Sequence, residues 1–250
     1  MRYLYLPKKD MLQLESLLSV EGLISLLTLT LLEIVLGIDN VIFISIIAGK
    51  LPKNQQKRAR TIGLMLALVI RVALLFGISW IIGLTKPLFT LFGFGATVRD
   101  IILFSGGLFL LAKSTTELFE KTETHEEEQK KQKKNITIKM AIIQIVLLDI
   151  VFSFDSILTA VGLVSQVLIM IVAVIISLII MLIFSEVVSN FINNHPSVKV
   201  LALAFLIMIG TLLVLDSFHQ EVPKGYVYFS LAFSLFVEII NLKLKKKKLN

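Results

Sequence analysis

Long runs of apolar residues follow one another along this chain of 250 residues, and short polar connections separate them. The runs lack the period-two alternation of barrel strands. As helices that rise about 1.5 Å per residue, they are long enough to cross a hydrocarbon core of ~30 Å. The pattern therefore predicts an all-α, polytopic membrane helix bundle with about seven transmembrane helices. The predicted spans are 23–48, 61–84, 100–119, 139–163, 166–192, 199–218 and 225–242.

Composition supports a membrane protein and excludes several classes of function. Hydrophobic residues make up 56% of the chain, the mean hydropathy is +0.88, and only 17% of the residues are charged. A soluble protein of this size has too little interior to bury so much apolar surface. The absence of cysteine from the sequence excludes disulfides, thiolate metal ligands and thiol catalysis. The sequence also has no P-loop through which ATP would drive transport.

Basic residues concentrate in alternate connections, and this bias predicts the orientation of the spans. The first and third connections and the C-terminal segment are rich in lysine and arginine, whereas the second connection carries only Lys86 and Arg99. The positive-inside rule then puts the C-terminus in the cytoplasm, and seven spans put the N-terminus outside. Because the net charge of +7 reflects this bias, nucleic acid is not an expected partner.

The polar segments divide the chain into six parts. The first is interpreted either as a loose N-terminal tail or as an interfacial amphipathic helix, and it does not resemble a cleaved secretory signal. A charged segment in the middle is interpreted as a solvated cytoplasmic linker between two transmembrane halves. The predicted parts are the tail 1–22, the first repeat 23–119, the linker 120–138, the second repeat 139–218, the seventh span 225–242 and the basic cytoplasmic tail 243–250.

One short motif occurs twice within the apolar runs. Residues 32–42 and 148–158 align without a gap, and each contains an acid, five intervening residues, an aspartate and then a small polar residue. Three spans separate the copies, so the second is inverted relative to the first. Spans one to three and four to six are therefore predicted to form two inverted three-helix repeats, with span seven added. The polar positions are Glu33, Asp39 and Asn40 in the first copy and Asp149, Asp155 and Ser156 in the second.

These polar positions suit a hard cation. A charged residue at the centre of a span costs roughly 2.5–3.5 kcal/mol, so such residues are normally protonated, paired or bound to an ion. Carboxylate, amide and hydroxyl oxygens favour Mn²⁺, Mg²⁺ or Ca²⁺ over Zn²⁺ or Cu⁺. One divalent cation would leave two of the four carboxylate charges uncompensated. Either a protonated carboxylate or a nearby cation balances them, and Arg71, interpreted as lying mid-way along span two, is predicted to pair with a motif carboxylate.

The spacing within each motif also predicts a local change in helix geometry. In an unbroken helix, residues six apart lie about 120° apart around the axis, so the two acids of one copy do not share a face. A break or kink near Gly37 and Ser153 would bring Asp39 and Asp155 to the other polar groups. The backbone carbonyls freed in this way would provide additional ligands, as in transporters with broken helices.

The two motifs resemble the signatures of the TerC family of integral membrane proteins. Residues 195–199 (His-Pro-Ser-Val-Lys) and 223–226 (Pro-Lys-Gly-Tyr) also resemble the family's short form, and the likeness runs from about residue 23 to 242. The resemblance implies a seven-span protein of the bacterial inner membrane. For better-studied members it implies Mn²⁺ efflux, with a historical link to tellurite resistance, and it points to the six polar motif residues. The chain departs from some relatives in lacking a cytosolic nucleotide-sensing module.

The leading hypothesis is a secondary transporter, not an enzyme, that exports a divalent metal ion, foremost Mn²⁺, in exchange for protons or sodium. The cation is the substrate, no cofactor is required, and the lipid bilayer surrounds the protein. Two alternatives stay open: an intramembrane aspartyl hydrolase, in which two aspartates share a proton, and a non-transporting membrane partner that loads metal onto exported proteins. Homo-oligomerisation is also left open. Asp216 and Glu238, near span ends, are interpreted as interfacial residues.

Overall fold

The computed structural model describes residues 18–77, 82–83, 85–91, 94–122, 136–164, 166–220 and 222–248. Helices dominate these residues, and one antiparallel β-hairpin interrupts them. The elements are α1 (Val20–Leu36), α2 (Ile38–Gly49), α3 (Lys53–Phe76), β1 (Pro87–Leu91), β2 (Phe94–Thr97), α4 (Val98–Thr122), α5 (Ile138–Leu163), α6 (Val167–Asn194), α7 (Pro196–Ser217) and α8 (Lys224–Lys248).

Seven helical segments in the described part of the chain are long and apolar enough to cross a membrane. The helices α1 and α2 together form the first, Val20–Gly49, and α3 to α8 provide the other six. This result confirms the predicted all-α, polytopic membrane bundle. Most of the predicted tail 1–22 and of the predicted linker 120–138 lies outside the described residues. The first helix is capped by Ser19, whose Oγ accepts a hydrogen bond from the backbone N–H of Gly22 at 3.0 Å.

The second span begins earlier than the sequence pattern predicts. Its helix, α3, starts at Lys53, whereas the prediction was 61–84. Pro52 precedes the first helical residue, and the polar residues of the first two turns have high helix propensity, so the helix grows out of the basic connection. As a consequence, Arg71 lies five residues before the end of α3 and not mid-way along the span.

A short β-hairpin that the apolar pattern did not reveal precedes the third span. The strands β1 and β2 pair antiparallel, with Pro87 opposite Thr97 and an irregular register between Pro87 and Phe89. Because β2 ends at Thr97 and α4 begins at Val98, the hairpin fixes the start of α4. We call the face of the bundle that carries the hairpin, where α1 begins, the hairpin side. The opposite face, where α8 ends, is the tail side.

The predicted helix break is confirmed in the first motif and wrong in the second. A turn at Gly37 (φ −93°, ψ −2°) separates α1 from α2. A Cβ atom at Gly37 would lie 2.4 Å from Met181 Sδ and 2.9 Å from the carbonyl oxygen of Glu33, so only glycine fits there. The helix α5 runs unbroken through Ser153, whose hydroxyl donates a hydrogen bond to Asp149 Oδ2 one turn earlier at 3.1 Å. Serine is thus accommodated inside the helix.

The helices form one tight group and one close pair. The helix α6 packs on α1, α2 and α3, and α3 packs on α5. The pair α4–α7 makes the most extensive contact of the fold, and weaker contacts join it to the group. Its backbones approach closely, because a Cβ atom at Gly107 would lie 2.8 Å from the carbonyl oxygen of Gly210. The helix α8 packs on α7 and is the least buried of the seven spans.

An ion-pair cluster ties this close pair to the group on the tail side. Lys50, which follows α2, pairs with Glu117 of α4, and its Nζ lies 3.7 Å from Glu120 Oε2. Lys113 of α4 also pairs with Glu117, at 3.2 Å.

In an inverted repeat, helix contacts are preserved when spans one to three are exchanged with spans four to six. Several contacts of this fold are preserved in this way, although the repeat relation itself stays a prediction. Exchanging the first three spans with the next three maps the α3–α5 contact onto the contact of α6 with the first span. The α4–α7 contact maps onto itself. Two differences break the pattern, because α2 packs on α3 and α6 packs on α7, while the equivalent pairs α5–α6 and α3–α4 make no comparable contact among the described residues.

We predict that Gly107→Ala destabilises the protein by about 1–3 kcal/mol, because the added methyl group would overlap the backbone of α7. Thermal unfolding in detergent should show a lower midpoint than in the wild type. The matched control is Gly162→Ala in α5, where no atom lies within 4 Å of the added carbon. Equal midpoints for the two variants would contradict the close packing of α4 on α7.

Candidate functional site

Arg71 lies at the centre of a buried ion network. Its Nη1 is 2.7 Å from Glu33 Oε2, and its Nη2 is 2.8 Å from Asp149 Oδ1. All three residues are at most 4% exposed. An isolated charge would cost several kcal/mol at this depth, so the arginine and the two carboxylates offset much of one another's cost of burial. The network joins one carboxylate from each motif copy. Arg71 therefore lies where a charge partner of both motifs is expected.

Asp149 receives hydrogen bonds from three different helices. Arg71 Nε of α3 donates to both of its oxygens at 3.3 Å. Asn40 Nδ2 of α2 donates to its Oδ1 at 3.2 Å, and Ser153 Oγ of α5 donates to its Oδ2 at 3.1 Å. Charged and amide donors therefore hold this carboxylate in one orientation.

Ser156 of the second motif and Asp39 of the first lie beside this network. The hydroxyl of Ser156 donates to the backbone carbonyl of Ser153 at 3.3 Å and also acts on the Glu33 carboxylate. The backbone N–H of Asn40 donates to Asp39 Oδ1 at 3.1 Å. Asp39 is 3% exposed, and its charge acts on Arg71. The break after α1 lies between the two acids of this copy, and the charges of both act on Arg71.

Asp155 is held apart from the central network by a second arginine. Because α5 is unbroken, Asp155 lies about 9 Å further along the helix than Asp149, towards the hairpin side. There its Oδ1 accepts a hydrogen bond from Arg99 Nη2 at 2.9 Å. The Asp155 side chain is 13% exposed and the Arg99 side chain 25% exposed, so this pair is closer to the surface than the Arg71 network.

The start of α4 fixes the backbone that carries Arg99. The backbone N–H of Thr97 donates to Asp100 Oδ2 at 2.9 Å, and the backbone N–H of Asp100 donates to Thr97 Oγ1 at 3.1 Å. This reciprocal pair is a capping box. His219 follows α7 with a positive φ of 59°, and its Nε2 lies 3.1 Å from Asp100 Oδ2. We call Thr97, Arg99, Asp100, Asp155 and His219 the hairpin-side cluster.

The structure brings together most of the residues predicted to bind a metal ion. Four of them surround Arg71, Asp39 lies next to that group, and Asp155 is paired with Arg99. In the described part of the chain, no group of three or more His, Cys, Asp or Glu side chains is placed to hold a metal ion. Arginine side chains are interposed between the carboxylates in this conformation. The four residues around Arg71 are Glu33, Asn40, Asp149 and Ser156.

Two residues near the carboxylates were missed from the sequence. Arg99 was counted only as a connection charge, although an arginine next to an acid at the start of a span is a recognisable signal. Tyr228 belongs to the added seventh span, and its ring packs against Phe205 with a centroid distance of 6.2 Å. The charges of Asp39 and Asp155 both act on Tyr228, so α8 contributes to the site. An isolated tyrosine in an apolar run gives no comparable sequence signal.

Apolar side chains cover Glu33 towards the hairpin side. Glu33 is one of the residues that line a narrow void about the size of one water molecule. Residues from four helices line it, and they include Leu29, Leu75, Ile157 and Met170. A hydrated cation would not pass through a void of this size.

Comparison with known proteins identifies similar chains over nearly the whole length. The family described as "Integral membrane protein TerC family" matches residues 18–248. The UPF0053 inner membrane protein YgdQ of Escherichia coli (strain K12) is 50% identical over 220 residues, which cover 88% of this chain and 92% of that protein. No solved structure matches the chain.

Two further relatives differ in length. A UPF0053 protein of Haemophilus influenzae is 44% identical over 226 residues, which cover 90% of this chain and 95% of the relative. The UPF0053 inner membrane protein YoaE of Escherichia coli (strain K12) is 46% identical over 216 residues, which cover 86% of this chain but 42% of that longer protein.

We predict that Arg71→Gln destabilises the protein by about 3–5 kcal/mol, because Glu33 and Asp149 would stay buried without their shared cation. Thermal unfolding in detergent measures the change. Adding Asp149→Asn to Arg71→Gln should restore part of the loss, since one uncompensated charge is then removed.

The matched control for this prediction is Arg58→Gln, which removes an exposed arginine from the same helix. Its effect should stay within about 0.5 kcal/mol. Equal stability of the Arg71 and Arg58 variants would show that the buried ion network does not hold these helices together.

Proposed function

This chain belongs to the TerC family of integral membrane proteins, and we propose that it is a secondary transporter that exports a divalent metal ion, Mn²⁺. Relatives that cover most of the chain are named inner membrane proteins, which supports the bacterial inner membrane as its location. The membrane-spanning architecture and the buried charges fit a transporter, and the identity of the cation is our inference from ligand chemistry.

The observation that carries the proposal is the convergence of both motif copies on one buried point. Glu33 and Asp149 come from different spans and share the guanidinium of Arg71. The structure therefore contains a place deep in the bundle where carboxylates hold a positive charge. Asn40 and Ser156 supply amide and hydroxyl oxygens beside these carboxylates, so the set is hard and rich in oxygen.

Cation binding requires a rearrangement of this network. Arg71 now occupies the space between the carboxylates, so an incoming cation would have to compete with it for their oxygens. We infer that the cation-bound conformation moves Arg71 aside while keeping its charge nearby. Return of the arginine, or arrival of protons or sodium ions, would then weaken the bound cation, which is the requirement for exchange.

The ion pairs favour this function over an aspartyl hydrolase. A catalytic dyad needs two aspartates that share a proton. In this conformation Asp149 is paired with Arg71 and Asp155 with Arg99, so each of these two aspartates has an arginine as its partner. A partner that only loads metal onto exported proteins would bind the cation without moving it across a membrane, and flux measurements separate that alternative.

We place the tail side in the cytoplasm and the hairpin side outside, on the basis of the positive-inside rule. Since the sequence has no cysteine, single cysteines can test this orientation. In spheroplasts, Lys86→Cys on the hairpin side should react with a membrane-impermeant maleimide. Lys53→Cys at the start of α3 should react only after the membrane is opened, and the reverse pattern would contradict the orientation.

We predict that liposomes containing only this protein transport Mn²⁺ and that Asp149→Asn lowers the initial rate. The loss of a buried charged ligand is expected to reduce the rate by about 10–100-fold. Radioactive manganese uptake measures it, and Asp39→Asn should behave in the same way. Glu238→Gln in α8 is the matched control, because that acid lies near a span end, and it should keep the wild-type rate.

Two outcomes of this experiment would count against the proposal. Wild-type protein that binds Mn²⁺ but produces no flux would favour the metal-loading role. Unchanged flux in both aspartate variants, with normal amounts of folded protein, would show that the duplicated motif is not the transport site.

A further inference from the structure

The hairpin-side cluster connects the second motif to the surface of the protein. The exposed fraction of the side chain is 13% for Asp155, 25% for Arg99 and 47% for His219, and Asp100, which contacts His219, is 6% exposed. The central network around Arg71 is almost fully buried by comparison. Arg99 therefore stands between the deepest charged groups and the solvent or headgroup region on that side.

We propose that Arg99 is the gate of the cation site on the hairpin side, and that its withdrawal from Asp155 opens the second motif to that side. The proposal rests on the proposed transport function. It gives Arg99 a positioning role, because the arginine acts through Asp155 and does not itself bind a cation.

The competing route is closed by apolar side chains. The void that Glu33 helps to line is about the size of one water molecule and is covered by residues such as Leu29 and Ile157. By contrast, charged and hydrogen-bonding groups of the cluster lie around Asp155. Of these two places in the described part of the chain, the one at Asp155 has the groups that suit a cation leaving on the hairpin side.

The charge balance explains why a gate of this kind suits a divalent cation. If all four motif carboxylates are ionised, they carry four negative charges, and the two positive charges of Arg71 and Arg99 leave a net charge of −2. One divalent cation neutralises this charge without any protonated carboxylate. When Arg99 withdraws, the net charge near Asp155 becomes more negative and the site attracts the cation more strongly. When Arg99 returns, it competes with the cation for Asp155 and opposes rebinding from the hairpin side.

The fold supplies elements that can move Arg99. Its backbone follows directly on β2, and the capping box of Thr97 and Asp100 makes the hairpin and the first turn of α4 one unit. His219 attaches the connection after α7 to the same carboxylate. A shift of the hairpin or of this connection would therefore carry Arg99 with it.

A single reporter cysteine tests the gate without any transport measurement. Ser156→Cys places a buried thiol near Glu33, one residue after Asp155 in α5, in a chain that otherwise has no cysteine. A membrane-impermeant methanethiosulfonate, applied in the absence of metal, should modify this thiol slowly. Adding Arg99→Gln should accelerate the modification by about tenfold or more, because the ion pair no longer holds the route closed. Arg58→Gln, an exposed arginine on the tail side, should leave the rate unchanged.

The acceleration should depend on Asp155. In an Asp155→Asn background, adding Arg99→Gln should produce no further increase, because the ion pair is already lost. An Arg99→Lys variant keeps the charge but not the planar donor geometry, so an intermediate rate is expected, and this variant serves if the glutamine substitution prevents folding. Unchanged modification rates in both Arg99 variants, or an acceleration that persists with Asp155→Asn, would overturn the gate.

A measurement of Mn²⁺ binding shows whether the gate proposal or the proposed function is wrong. Titration calorimetry with Mn²⁺ should show binding about tenfold tighter in Arg99→Gln than in the wild type. If the wild type binds no Mn²⁺, the proposed cargo is wrong, and the cysteine assay still decides the gate. If the wild type binds Mn²⁺ while the modification rates do not change, the gate is wrong and the cation site stands.

Discussion

The pairing of Arg71 with Glu33 and Asp149 is the interaction on which the site depends. A buried ion pair is weak evidence for stability, because apolar residues of similar size often stabilise a fold equally well. The helices of this bundle already pack through small and apolar residues, as Gly107 and Gly210 show. The ion network is therefore better explained by a role in binding a mobile cation than by a contribution to the stability of the fold.

The two motif copies have the same residue pattern but different geometries. In the first copy a turn at Gly37 separates α1 from α2, and Met181 of α6 packs against that glycine. In the second copy α5 continues through Ser153, and Asp155 remains nearer the hairpin side. A duplicated motif has thus become a site that is asymmetric along the membrane normal.

Much of the fold could be predicted because lipid imposes simple rules on a chain. Spans must be apolar and helical, so their number follows from hydropathy, and acids inside them stand out. The positions of Glu33 and Asp149 and the presence of Arg71 followed from the same rules. Features that depend on tertiary contacts could not be predicted from these rules. The continuous helix through Ser153 and the pairing of Arg99 with Asp155 are set by packing and by the hairpin, and local sequence does not encode either one.

The close packing of α4 on α7 has a mechanical consequence. Two helices in backbone contact along their length cannot easily slide or separate, so they behave as one lever. The hairpin-side end of this lever carries Arg99 and His219, and its tail-side end carries Glu117, which is tied to Lys50. If the lever pivots about its middle against the remaining helices, its two ends move in opposite directions. A single rocking motion would then loosen one end of the protein while it tightens the other.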